Sequence, residues 1–230
     1  MTSPNYKSKP ASIFLIAGGP ESKNSKTILA EVLKSNKKKA SSVAYVGTAS
    51  NDNKEFFLML RQIIMDAGAG SVTLTPIVRR FNLDKARDIL LSSDVVFISG
   101  GDVDLGMKYL RKRNLVTLFR KLYDRGKLFC GISAGAIMLC RNWMHWRDPD
   151  DDNTVELLDC LGFAPLLCDV HDEEDNWMEM KRLLGFFPQG TIGYGIPAEG
   201  ALRVSANGKI IAIGSLLTKF IKKDTGIIIV

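Results

Sequence analysis

"LFCGISAGAIML", residues 128–139, sets one serine among small residues with an apolar run on either side. A buried strand or helix gains by filling space with larger side chains, so Gly131, Ala134, Gly135 and Ala136 around Ser133 need another explanation. Gly131-Ile132-Ser133-Ala134-Gly135 fits G-x-S-x-G, placed between a predicted strand, "KLFCGI" (127–132), and a predicted helix. At such a turn the strand and helix backbones approach closely, so the flanking side chains must be small. The serine itself sits on a strained bend that presents its hydroxyl. Ser133 is therefore a candidate nucleophile, although a tight crossing of small residues without chemistry would show the same local pattern.

Outward from this turn, short apolar runs alternate with helical periodicity. "SIFLIAG" (12–18), "SSVAYVGTA" (41–49), "SVTLTPIV" (71–78) and "DVVFISGG" (94–101) read as strands. "SKTILAEVLKS" (25–35), "KEFFLMLRQIIMDAG" (54–68), "LDKARDILLSS" (83–93) and "LVTLFRKLYDRG" (115–126) read as helices. "DLGMKYLRKRN" reads as another, closing at Asn114, which tolerates the left-handed conformation common just past a helix end. Strands that are apolar throughout, separated by helices, predict an α/β fold with a mostly parallel sheet covered on both faces. After residue 155 glycines multiply, "ANGK" offers a hairpin turn, and "GIIIV" ends the chain as a strand. This part predicts mixed or antiparallel pairing.

The chain has 230 residues, enough for one domain spanning 1–230, with the polar "MTSPNYKSKP" (1–10) expected to be a flexible tail. Apolar residues make up 46% and charged residues 24%, as in ordinary globular proteins. No apolar run approaches the ~18 residues of a membrane span, and no secretory signal is visible, so a cytoplasmic protein without membrane contact is expected. The net charge of +6 is scattered; its densest cluster, "KSNKKK" (34–39), reads as a solvated helix end or loop, and no nucleic-acid partner is expected. Cys130, Cys140, Cys160 and Cys168 have apolar neighbours and no CxxC spacing, the pattern of reduced, buried thiols. His145 and His171 lack ligand spacing to the cysteines or to one another, so no metal site is expected. "LIAGGPES" lacks a complete phosphate-binding pattern and reads as a turn, leaving no cofactor implied.

A serine needs a base, and usually a third group to orient that base. If "AGAIMLCRNWMHW" continues as a helix, His145 lies ~18 Å along its axis from Ser133, out of reach. It then reads as a partly packed residue between Trp143 and Trp146. His171 follows the strand-like "APLLCDV" (164–170), at the end of a strand where parallel-sheet proteins gather their sites, and is the candidate base. The orienting acid is left open among Asp148, Asp150, Asp151 and Asp152. Backbone N–H groups of Ala134 and of the Gly100–Gly101 turn are candidates for holding a developing oxyanion.

Three segments in register now resemble a known family. "FISGGDVDLGMKYLRKRNL", "YDRGKLFCGISAGAIML" and "LDCLGFAPLLCDVHD" are similar, in order and spacing, to the dipeptidase E and cyanophycinase family of serine peptidases. The likeness is clear over residues 94–175. It implies a three-layer α/β/α sandwich like that of class I glutamine amidotransferases, with a mostly parallel central sheet. It also implies a triad of Ser133, His171 and Asp148, an oxyanion hole from Gly101 with Ala134, and hydrolysis of a small peptide substrate. A homodimer is compatible with this reading.

The sequence departs from the family where specificity should be set. Relatives tend to carry Pro before the histidine, an aromatic after it and an arginine a few residues on. Here Val170-His171-Asp172-Glu173-Glu174-Asp175 follows, with basic residues returning at Lys181 and Arg182, and Asp102 stands where relatives often have Asn. An aspartate side chain would want a cationic partner, so a neutral or basic substrate is the alternative. A domain that binds a small molecule or partner without catalysis is the competing class. A glutamine amidotransferase is disfavoured by serine at the turn, and an α/β-hydrolase by the long segment after His171.

Overall fold

Along four strands of the central sheet, successive buried side chains point alternately into two separate cores, which is why these runs are almost wholly apolar. The computed structural model describes residues 10–18, 22–148 and 150–230; the side chain of Asp152 and most of the expected tail lie outside them. The strands in question are β1 (Ile13–Ile16), β2 (Ser42–Val46), β4 (Val95–Ile98) and β5 (Leu128–Ile132). Ile13, Leu15, Ala44, Val46, Val96, Ile98 and Phe129 face one core. Phe14, Ile16, Val43, Tyr45, Val95, Phe97, Cys130 and Ile132 face the other. Period-two alternation between two dry faces requires helices on both sides.

Those helices are α1 (Ser25–Ser35) and α2 (Lys54–Asp66) over the second core. Over the first lie α3 (Leu83–Ser92), α4 (Val103–Lys112), α5 (Val116–Asp124) and α6 (Ala134–Leu139). With β3 (Ser71–Leu74), β10 (Ala201–Val204) and β11 (Ile210–Ile213), the sheet order is β11-β10-β1-β5-β4-β2-β3. The five strands from β1 to β3 pair in parallel, and β10 and β11 add antiparallel. The result is the expected α/β/α sandwich. Neighbouring strands β1 and β5 send their following helices to opposite faces, which opens a crevice at their carboxyl ends.

Element bounds follow the predicted pattern closely in this half. Asn114 adopts φ 55° just past α4, and Ser205 N–H donates to Lys209 O at 2.9 Å across the Asn207-Gly208 hairpin. Two segments differ. The helix after Ser133 stops at Leu139, because the returning chain occupies its free carbonyls: Leu161 N–H donates to Met138 O, Ala164 N–H to Leu139 O and Gly162 N–H to Cys140 O at 2.7–2.9 Å. "NWMHW" is accordingly strand β6 (Asn142–Trp146), in a hairpin with β7 (Val155–Asp159). Second, β8 (Leu167–Val170) does not join the central sheet. It pairs in parallel with β9 (Ile192–Ile196), to which β12 (Thr218–Lys223) and β13 (Gly226–Ile229) add antiparallel, and α7 (Met178–Gly185) follows β8. No helix among the described residues is long and apolar enough to cross a membrane.

Candidate active site

Ser133 occupies the step between β5 and α6 with φ 52° and ψ −125°, a conformation that costs a non-glycine residue ~1–3 kcal/mol. The surrounding small residues now have a steric reason. A Cβ on Gly131 would lie 2.1 Å from Gly135 O, and one on Gly135 would lie 2.2 Å from Ile98 O. Nothing larger than glycine fits at either place, because α6 passes directly over β5 and β4. The bend is held by Ser133 N–H donating to Ile16 O at 2.8 Å and by Ala136 N–H donating back to Ser133 O at 2.8 Å.

His171 begins the turn after β8, at φ 47°, with its N–H donating to Ile196 O at 3.0 Å. The turn closes when Trp177, itself left-handed and buried, donates its N–H to Asp172 O at 2.9 Å. The Trp177 ring packs against Gly195, where a Cβ would lie 2.7 Å from the ring. Glu173 accepts the Ala198 N–H at 2.9 Å, tying the acidic segment to the end of β9. These contacts bring the imaginary line of β8 to the end of β5: Ser133 Oγ and His171 Nε2 are 2.8 Å apart. That separation allows the neutral imidazole to accept the serine proton.

The orienting acid is a different matter. Asp148 lies in the β6–β7 turn, where its carboxylate accepts the Asp150 N–H at 3.1 Å. Asp151 accepts the Asn153 N–H at 2.9 Å in the same turn, and Asp150 is exposed. None of these three hydrogen-bonds His171, and among the described residues His171 Nδ1 has no hydrogen-bond partner. The structure thus joins Ser133 to His171 and does not join Asp148 to either.

Gly101 and Ala134 both border the cleft over Ser133, which has a volume of about 290 Å³. Gly101 adopts φ 135° and lies so close to Ala49 O that a Cβ would sit 2.1 Å away. Neither its N–H nor that of Ala134 donates to an acceptor among the described residues. Asp102 caps α4, accepting the Leu105 N–H at 2.8 Å. His145, half-exposed on β6, bonds through Nδ1 to Asp104 Oδ2 at 2.6 Å. It is therefore held by a carboxylate on α4 rather than simply packed between Trp143 and Trp146. Trp143, Met144 and Trp146 form part of the cleft wall together with Ile137. Alternating aromatics in "NWMHW" were the available signal for this strand.

Asp169 on β8 is buried at the cleft floor, its two oxygens accepting Val170 N–H at 2.8 Å and Met180 N–H at 3.1 Å. Burial pushes its pKa up to about 8, with the Asp172 and Glu179 charges adding to the rise. Burial and the neighbouring Asp172 and Asp175 likewise raise Glu179. The four thiols are free, and the Cys140 and Cys168 sulfurs lie 3.1 Å apart in the core. Among the described residues no cluster of three histidine, cysteine or carboxylate side chains is arranged to hold a metal ion.

The sequence model of peptidase family S51 matches residues 13–212. The structure is similar to that of a peptidase from an acI-B1 Actinobacterium, with 17% identity, a TM-score of 0.73, and coverage of 96% of this chain and 94% of that one. It is also similar to a candidate peptidase E protein from Listeria monocytogenes EGD-e, with 17% identity, a TM-score of 0.68, and coverage of 90% and 100%. A comparison with curated proteins finds no match.

Proposed function

The chain belongs to peptidase family S51, the serine peptidases that include dipeptidase E, and on that premise we propose that it hydrolyses short peptides through Ser133 and His171. The observation that carries the reading is the 2.8 Å approach of Ser133 Oγ to His171 Nε2, made at a strained turn whose positions 131 and 135 admit only glycine. Ser133 Oγ adds to the scissile carbonyl carbon as its proton passes to His171 Nε2. The N–H groups of Ala134 and Gly101 receive the oxygen that becomes negative. The C–N bond then breaks, the imidazolium returns its proton to the leaving amine, and an ester on Ser133 remains. A water molecule, deprotonated by His171, hydrolyses that ester and restores both side chains.

Asp148 stands at the spacing where the family resemblance implies the acid, but orienting His171 would require the β6–β7 turn to rearrange. In the arrangement described, His171 is held by its own backbone and by the turn that Trp177 closes. The free thiols, three of them buried, support a reducing cytoplasmic location.

Labelling with a fluorophosphonate probe tests the reading. The probe should modify Ser133, identified by peptide mass spectrometry, and His171→Ala should slow labelling by ~10³-fold or more. Folded protein that remains unlabelled between about pH 6 and about pH 9 would end the case for a Ser133 nucleophile.

A further inference from the structure

The cleft is lined by carboxyl groups in a chain whose own net charge is positive. Asp102, Asp104, Asp169 and Glu179 line it, and among the described residues no lysine or arginine does, in a protein of net charge +6. Asp104 uses Oδ2 to hold His145, while its Oδ1 is buried with no hydrogen-bond partner. Glu179 faces like charges from Asp172 and Asp175. Arg182 lies 5.6 Å from the Trp146 ring centroid and is not among the lining residues. Beside the carboxyl groups stands an apolar wall of Trp143, Trp146, Met144 and Ile137.

These features suit one kind of side chain. A carboxylate entering the cleft would meet carboxyl groups without a cation to receive it, at a cost that grows as water is displaced. A long cationic side chain would lay its methylenes against the tryptophan wall and present its head to Asp104 and Glu179. Resting on the reading of Ser133 as nucleophile, we propose that the cleft selects peptides whose acyl-side residue is arginine or lysine. The cation is that of the side chain, whose methylenes the apolar wall accommodates; an α-ammonium has none of its own.

The test compares arginyl, citrullinyl, leucyl and aspartyl dipeptides sharing one leaving residue. Citrulline keeps the shape of arginine and removes its charge. We expect kcat/KM for arginyl over citrullinyl substrate of ~10-fold or more, as for a hydrogen-bonded ion pair withdrawn from water, with the aspartyl substrate slowest. The ratio should shrink on raising salt from about 0.05 M to about 0.5 M, and should fall towards one in Asp104→Asn combined with Glu179→Gln. Equal rates for arginyl and citrullinyl substrates, or a preference for aspartyl, would overturn the proposal. Binding of the same peptides to Ser133→Ala, measured by calorimetry, separates this from the catalytic reading. Arginyl preference in binding with no turnover by the native protein would sink the peptidase reading and uphold the cation-selective cleft. Equal binding of arginyl and citrullinyl peptides would overturn the cation-selective cleft whatever the turnover.

Discussion

Replacing Gly135 by alanine puts a methyl carbon 2.2 Å from Ile98 O and 2.8 Å from Ser99 O, where an ordinary contact is about 3.5 Å. Both are backbone atoms of β4 and its exit, so no flexible side chain can give way. Helix α6 must instead lift from the sheet by on the order of 1 Å. Overpacking of this severity costs ~3 kcal/mol, which for a chain of 230 residues lowers Tm by roughly 6–12 °C. The larger effect is on chemistry. Ser133 starts α6, and its 2.8 Å approach to His171 spans two separately anchored sheets, so His171 does not follow the movement. A displacement of ~1 Å between reacting groups costs ~10²-fold in rate. The assay is fluorophosphonate labelling of Ser133 below the melting transition, beside a thermal melt of the same protein. Gly185→Ala is the control: it ends α7 with open space around the added methyl, and should be neutral or stabilise by up to ~1 kcal/mol. Gly135→Ala with native Tm and native labelling rate would falsify the steric account of the G-x-S-x-G turn.

Three further outcomes follow from the same geometry. Asp102→Ala should lose ~1 kcal/mol by uncapping α4, whereas Asp102→Asn keeps an acceptor for the Leu105 N–H and should stay within ~0.5 kcal/mol of native in urea unfolding; equal losses would show that the cap is not what Asp102 contributes. Asp169 is raised from an ordinary 3.8 to about 8 in the folded protein. Between those values the folded state keeps a proton that the unfolded chain releases, so stability should fall as pH rises through that window and level off above it. Urea midpoints measured from about pH 5 to about pH 9 should show a shallower decline in Asp169→Asn than in the native protein, and parallel declines would remove Asp169 as the source. Asp148→Ala should slow labelling of Ser133 by less than ~10-fold, since it makes no hydrogen bond to His171; a loss near 10⁴-fold would show that the β6–β7 turn rearranges to supply the acid.

The local requirements of this protein were legible because they are enforced over a few residues. Two-sided burial makes a strand apolar on both faces, so β1, β2, β4 and β5 stand out in the sequence and the sandwich follows. Crowding at the step from β5 to α6 excludes every side chain at 131 and 135, so the nucleophile's position is written in its neighbours. Tertiary structure alone decided what lies across from them. Helix α6 ends where a chain returning some twenty residues later takes its carbonyls, and that cut turned "NWMHW" into a strand, gave His145 to Asp104 and set two tryptophans in the cleft wall. Whether Asp148 or any other carboxylate reaches His171, and the gathering of Asp104, Asp169 and Glu179 around one cleft, depend on how β8 and its separate sheet dock beside β5. Such contacts join residues far apart in the chain, and no spacing along the sequence encodes a distance through space.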